Sequence, residues 1–191
     1  RLSMDWKLDE TRHTGRPGDS QGRSPAEMAC YDFLDRLGVS YGRVDHSPAF
    51  HIETCHQVEA VLEAPIAKNL FLCNRQKTQF YLLLLEGDQG FKTKHLSAQL
   101  GCSRLSFAGE EDLARLLGVQ PGSASLLCLL QDPGCAVQLV LDRPLLRQAY
   151  LGLHPCQNTS TLRIAMGDVL ERVIPALGHR PLLVDLPEDP L

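Results

Sequence analysis

Residues 68–87, KNLFLCNRQKTQFYLLLLEG, decide how this chain folds. Two apolar runs, NLFLCN and QFYLLLLEG, flank the polar RQKT, which is the pattern of a β-hairpin. Neither run alternates cleanly between apolar and polar residues, so both faces of the hairpin must be covered. One residue breaks this apolar logic. Lys68 heads the first strand, and an ammonium group is among the costliest to bury unpaired. Either that strand end reaches water or an anionic ligand meets the lysine there.

Before the hairpin, SPAEMACYDFLDRLG (24–38) predicts a helix, with Ser24 as N-cap, Pro25 at the first helical position, Glu27 as capping-box partner and Gly38 as the stop. SYGRVDH predicts a strand, and ETCHQVEAVLE a short helix that turns Val58, Val61 and Leu62 inward. Beyond the hairpin come the helices TKHLSAQLG and GEEDLARLLG, each closed by glycine, with the strand RLSFA between them. SLLCLLQD, AVQLVLD, LGLHP and STLRIA read as strands, GDVLERVIPALG as a last helix and PLLVDL as a last strand. Helices and strands interleave, but the tight hairpins forbid a purely parallel sheet. The expected fold is α+β, a curved mixed and largely antiparallel sheet flanked by helices.

Residues 1–23 are polar, punctuated by Gly and Pro and without periodicity, so they read as a mobile extension with Trp6 as its one potential anchor. Residues 24–186 then form a single domain, and 187–191 a frayed tail. A chain of 191 residues is long enough for one full core and short for two. A net charge of −4, with 43% hydrophobic and 22% charged residues, excludes a generally basic nucleic-acid binder, so contact with RNA must be a local patch. Lys68, Arg75, Lys77, Lys92 and Lys94 are the cations available for it. Seven cysteines, none spaced as a metal-binding pair, favour reduced thiols in a cytoplasmic protein over a disulfide scaffold or a zinc site. No run of about 18 apolar residues marks a membrane span, and DNA and membrane are not expected partners.

Several standard chemistries lack their residues. There is no Walker-type phosphate loop, no Gly-x-Ser-x-Gly elbow and no paired metal-ligand helix motif, and no metal or other cofactor is expected. Cys55 with His56, and His154 with Cys156, are the nearest metal candidates and are too short as patterns to carry one. Four local features remain. They are Lys68 at its strand entrance, LGVQPGSASL (117–126) with Pro121 and Gly122 in a turn, HPCQNTSTLRI (154–164) with its polar cluster, and the junction LSFAGEEDL. A turn glycine lets backbone N–H groups face a pocket.

In this order and spacing, KNLFL, YLLLL, LSFA, LGVQPGS, LVLD and HPCQNTSTLRI resemble the YbaK/ProX family of aminoacyl-tRNA editing domains. The closer resemblance is to the branch that clears alanine from proline tRNA. The similarity runs from about residue 25 to 186. It implies a hydrolase that cleaves the ester joining a mischarged amino acid to the terminal adenosine of tRNA, with the tRNA acceptor end as partner and prolyl-tRNA synthetase as a second one. Lys68 matches the family lysine that holds the phosphate or ribose of that adenosine. Gly122 matches the glycine of the Gly-x-x-x-Pro loop, whose backbone orients the ester carbonyl and the attacking water, and His154 matches the pocket histidine. Phe50, Leu70, Phe107 and Leu127 are the expected apolar lining, and Ser123, Leu126, Asn158 and Thr159 the remaining substrate contacts.

The chemistry implied is undemanding. An ester is already activated, so positioning, a water and donors aimed at the developing oxyanion suffice, each donor contributing about 3 to 4 kcal/mol. Editing is needed because a synthetic pocket built for proline discriminates against missing methylenes by only about 1 to 3 kcal/mol each. Two departures stand out. Leu126 occupies the place of the family proline and is expected to crowd the pocket, and His51 stands where relatives often carry threonine. Read without the family, Lys68 is a snorkelling strand-end lysine, Gly122 a turn glycine and His154 a packed histidine. A cysteine-specific deacylase, or a non-catalytic module that captures aminoacyl-tRNA or a synthetase, are the competing functions, the latter favoured by Leu126.

Overall fold

The computed structural model describes residues 6–190. Arg1–Asp5 of the expected extension and Leu191 of the expected tail lie outside the described residues. Along the chain run β1 (His13–Thr14), α1 (Pro25–Leu37), β2 (Gly42–Asp45), α2 (Ile52–Leu62), β3 (Ala67–Asn74), β4 (Phe80–Glu86) and β5 (Gln89–Gly90). They are followed by α3 (Thr93–Leu100), β6 (Leu105–Phe107), α4 (Glu110–Leu117), β7 (Val137–Asp142), β8 (Tyr150–Leu153) and β9 (Ser160–Ala165). A helical segment over 166–177, α5, then precedes β10 (Leu182–Val184) and β11 (Asp189–Pro190).

The hairpin forms as its sequence requires. β3 and β4 pair antiparallel from Ala67↔Glu86 to Cys73↔Phe80, and the Asn74 side chain closes the turn by accepting from the Thr78 and Gln79 amides. This hairpin is the centre of a five-stranded sheet ordered β10-β7-β4-β3-β6, in which β7 joins β4, and β10 joins β7, in parallel. The unbroken LLLL run now has its reason. Leu82 and Leu84 enter the main core with Phe71, Cys73 and Leu139, whereas Leu83 and Leu85 enter a second core with Leu72, Val140 and Leu96. Successive residues of a strand face opposite ways, and here both ways are dry.

Four further strands make a second sheet, ordered β1-β2-β9-β8 and antiparallel throughout, and β5 pairs with β11 in a separate two-stranded ribbon. The second sheet touches the first where Ile66 bridges Gly152 in parallel, and only glycine fits there, since a Cβ on Gly152 would lie 2.7 Å from Pro65 O. Helix α1 starts as expected, with Ser24 Oγ accepting from Glu27 N at 3.1 Å, and ends on Gly38 at φ 67°. In α5 the middle turns, Val169–Val173, are π-wound. Pro175 explains this, since it has no N–H to donate and its ring crowds the preceding turn.

Three expectations are corrected. SLLCLLQD is no strand: Leu126–Gln131 is a 3₁₀ helix whose residues Leu126 to Leu129 are all buried. A run buried all round carries no periodicity to separate strand from helix. Residues 6–23 are not free. Leu8 bridges His46, Asp9 N donates to Asp45 O, and Trp6 Nε1 donates to Pro48 O, while Trp6 and Leu8 pack on Val44 and Val58. Arg23, on the same segment, bonds Asp45, Glu27 and Ser160. Polar composition concealed this docking because its anchors are backbone groups and arginine forks. Finally, Asp189–Pro190 pairs with Gln89–Gly90 instead of fraying.

Candidate functional site

Lys68 opens β3, and the strand alternation turns its side chain to the face shared with Leu70 and Leu72. It enters a cleft of about 290 Å³, where Phe50, Ile52 and Ile66 supply apolar walls and His51, Gly87 and Asp88 the mouth. Its ammonium donates to Gln89 O. Burial pushes its pKa down, and Asp88 pulls it back up.

Of the titratable residues of this cleft, sequence reasoning passed over Glu59 and Asp88, and it weighed Cys55 and His56 only as metal ligands. Ile52, Cys55, His56 and Glu59 recur at the i, i+3, i+4, i+7 positions of α2, so they form one face of that helix, beside the stripe of buried Val58 and Leu62. That spacing was the available signal. His56 Nε2 lies 3.1 Å from Asp88 Oδ1 across the mouth. Burial pushes the Glu59 carboxyl up, against the opposing effect of the Ile66 amide that donates to it at 2.7 Å. Cys55 is raised by burial and then by Glu59, which makes it a poor nucleophile. Asn69, next to Lys68 but on the opposite face of β3, keeps a buried Oδ1 with no hydrogen-bond partner among the described residues.

Gly122 does not line the cleft itself; Phe50 joins them. A Cβ on Gly122 would meet Phe50 Cε1 at 3.2 Å and Asn158 Nδ2 at 3.7 Å, and its φ of 87° is strained for any other residue. Phe50 is 69% exposed, lines the cleft together with Lys68 and also lies against Gly122. The turn is closed by Ser123 N donating to Gln120 O at 3.1 Å. Among the described residues no protein acceptor takes the Gly122 and Ala124 amides.

His154 sits behind this loop. Its carbonyl accepts from Ser125 Oγ, which locks the two segments together. Its Nδ1 lies 2.9 Å from Ser160 O and 3.2 Å from Thr161 Oγ1, and Thr161 Oγ1 lies 2.8 Å from His46 Nε2. Burial, followed by the neighbouring His46, brings the His154 pKa down to about 4 against the pull of Ser160 O. The ring is therefore neutral at pH 7, and one protonation pattern satisfies every contact. His154 Nδ1–H donates to Ser160 O, the Thr161 hydroxyl donates to His46 Nε2, and His46 Nδ1–H donates to Ser47 O at 2.8 Å. Asn158 faces Gly122, whereas Thr159 contributes its carbonyl to His46 N.

The expected lining is only partly gathered. Phe50 walls the cleft, Ser123 is buried in the Gly122 turn, and Leu70 is partly buried against the second core. Leu126 and Leu127 are wholly buried in the main core, so the residue at the family proline position packs away from the cleft instead of narrowing it. Phe107 lies in a different cleft, with Phe91. The expected cations also divide: Lys92 and Lys94 share that second cleft, while Lys77 lies 3.7 Å from Asp112. All seven cysteines are free thiols. Cys128 and Cys156 have sulfurs 3.1 Å apart beside the His154 loop, and the bond to Cys156, with burial, pushes the Cys128 thiol up. Among the described residues, Asp9, His13 and Asp45 make the one group of three potential metal ligands, and neither Cys-His pair belongs to it.

Residues 46–171 match the profile of the aminoacyl-tRNA editing domain. The chain belongs to that family. The prolyl-tRNA editing protein ProX of Acetoanaerobium sticklandii is 30% identical over 161 residues, covering 84% of this chain and 98% of the relative. The prolyl-tRNA synthetase associated domain-containing protein 1 of Danio rerio is 30% identical over 155 residues, covering 80% of this chain and 83% of the relative. A solved chain described as a candidate trans-editing enzyme for prolyl tRNA synthetase shares the fold, with a TM-score of 0.62 at 18% identity over 87% of this chain and 99% of that one. The strands and loops that carry Lys68, Gly122 and His154 all fall within the matched residues of this editing domain. Among the described residues no helix is long and apolar enough to cross a membrane.

Proposed function

We propose that this chain is a trans-acting aminoacyl-tRNA deacylase that hydrolyses mischarged proline tRNA, with alanine as the amino acid removed. The observation that carries the reading is the small cleft holding a half-buried lysine and walled by the aromatic ring that packs on Gly122. Lys68 exchanges its bond to the Gln89 carbonyl for the phosphate or ribose of the terminal adenosine, and a phosphate there sets a full negative charge against the ammonium in place of a carbonyl dipole. The amides of the Gly122 turn face the ester carbonyl and its developing negative charge. Glu59 and Asp88 give the cleft the negative charge that suits the α-ammonium of an aminoacyl group. His154, neutral and held through Nδ1, braces the loop and has an unprotonated Nε2. The attacking water needs no strong protein base, because a ribose hydroxyl beside the ester assists it.

Substrate size supports alanine. A cleft of about 290 Å³ lies at the lower end of ligand pockets, and the aromatic wall limits the side chain it accepts. Its burial in the core removes Leu126 as an obstruction and weakens the case for a non-catalytic module. Cysteine on proline tRNA is the alternative substrate, since its side chain differs from alanine by one sulfur atom.

The test is a deacylation panel with the purified chain and proline tRNA carrying alanine, cysteine or proline. Release of alanine is expected to be fastest, with prolyl-tRNA left intact. Preferential release of cysteine replaces the substrate assignment, and binding without release on every member defeats the enzyme.

A further inference from the structure

A second cleft, of about 890 Å³, opens on the same face of the five-stranded sheet as Lys68. Along β3, Lys68, Leu70 and Leu72 share that face, and Leu72 pairs directly with Phe107 on the edge strand β6. Four residues of strand separate Lys68 from that pair, about 13 Å at about 3.3 Å per residue. The cleft is lined by Phe91, Lys92, Lys94, Arg104 and Phe107, with Thr93 and Ser97 at its floor, and no acidic residue takes part.

Phe107 is 59% exposed, a large aromatic ring held in water by an edge strand. Phe91 meets it edge to face, with ring centroids 6.1 Å apart and planes at 73°, which fixes the orientation of Phe107 while leaving a ring face uncovered. Ser97 Oγ donates to Thr93 O at 3.0 Å and accepts from Leu105 N at 3.1 Å, so the start of α3 and strand β6 are tied into one frame. Lys92, Lys94 and Arg104 are exposed and form no ion pair among the described residues. In a chain of net charge −4, three unpaired cations around a braced, uncovered aromatic ring are a local exception.

We infer that this cleft is a nucleotide-stacking subsite that takes the unpaired 3′ strand of a tRNA acceptor end, just upstream of the terminal adenosine. Phe107 stacks on a base, since every base has a π-face, and Lys92, Lys94 and Arg104 neutralise the flanking phosphates. The 13 Å from Lys68 sets an upper bound of about four nucleotides, reached at the stacked rise of about 3.4 Å, and an extended strand covers it in fewer, which keeps the stacked base within the unpaired 3′ nucleotides. The inference rests on the deacylase reading for where the adenosine sits. It accounts for Phe107, an expected side-chain contact that the fold holds away from the Lys68 cleft, and for cations that form no ion pair among the described residues.

The test uses uncharged proline tRNA, which has no ester, so its binding reads this subsite whether or not the chain is a hydrolase. Fluorescence anisotropy with the full chain compares intact tRNA with the same tRNA lacking its unpaired 3′ nucleotides. Phe107→Ala is expected to weaken binding to intact tRNA at least fivefold and to leave binding to the truncated tRNA unchanged, with Phe107→Trp restoring affinity. The double variant Lys92→Ala, Lys94→Ala is expected to reduce the slope of log affinity against log salt by about 1.4 to 1.8, at about 0.7 to 0.9 per phosphate contact. Equal affinities for the two tRNAs, Phe107→Ala binding like the parent chain, or an unchanged salt slope overturns the subsite. Loss of binding to prolyl-tRNA synthetase with tRNA binding intact also overturns it, and reassigns the surface to a protein. Both variants alter exposed side chains, and equal melting temperatures check that each is folded.

Discussion

The Lys68 cleft and the Gly122–His154 loops sit on either side of Phe50 and are built on opposite principles. In the cleft, polar groups stand half in water with replaceable partners: Lys68 on a backbone carbonyl, His56 on an Asp88 carboxylate that is 81% exposed. Behind Phe50, Ser125, His154, Thr161 and His46 satisfy one another, and the only ionisable rings there are held neutral by burial. The open region can trade its contacts for those of a ligand at little cost, whereas the closed one loses a buried hydrogen bond with any change. The lesson is a division of labour, with charge and exchange in the cleft and shape in the loops.

Gly122→Ala tests the boundary most severely. The new methyl group meets Phe50 at 3.2 Å in a backbone conformation that alanine resists, so the turn and its amides shift. Deacylation is expected to fall about a hundredfold, the scale of losing one oxyanion donor. Single-turnover rates measure it, and a rate within threefold of the parent removes Gly122 from the site.

The closed region carries a pH signature. His154 binds its proton near pH 4 in the folded chain and near 6.5 when unfolded, so the unfolded chain takes up more protons between those values. Stability is therefore full above pH 6.5 and falls as the pH drops towards 4, by about 3 kcal/mol. Urea titrations between pH 4 and 7 measure this slope. His46, lowered by burial, adds to it in the same direction, so His154→Gln is expected to reduce the slope and leave the His46 part. A slope unchanged in the variant shows that His154 is not a source of it. Asp45 acts in the same direction at lower pH. Burial works against its charge, but Arg23, Ser160 and Arg43 hold its pKa at about 2, so its contribution is lost below pH 4.

On the open side, Lys68→Ala is expected to reduce deacylation at least tenfold while leaving the melting temperature close to that of the parent, because the strand end is only half buried. Unchanged turnover removes the lysine from the mechanism. The smallest effect is expected for Asp88→Asn. Losing that carboxylate takes away the charge that raises the Lys68 pKa, so the high-pH decline in activity moves to lower pH, with less than threefold change at pH 7. A shift to higher pH contradicts the pairing.

Much of this was readable beforehand. Local rules act within a few residues, so Ser24, Pro25 and Gly38 announced α1, and the doubly apolar hairpin announced a sheet covered on both faces. Family spacing marked Lys68, Gly122 and His154, yet it could not say that Phe50 stands between the first two. The cleft residues Cys55, His56 and Glu59 had helical spacing but no partner in the sequence to give it meaning, because Asp88 arrives from the β4–β5 turn.

By itself the sequence determined the capped helices and the central hairpin, which two faces of that hairpin go dry, and which turn demands a left-handed glycine, since each follows from side-chain period and backbone sterics over short range; it misread a run buried all round, Leu126–Gln131, and missed the shortest strands. Tertiary structure alone decided that Leu126 goes into the core, that Phe107 joins the cations of α3 instead of Lys68, and that residues 6–23 clamp β2. Those outcomes depend on contacts between residues far apart in the chain, and burial, ion pairing and proton affinity take their values only after the strands have been brought side by side.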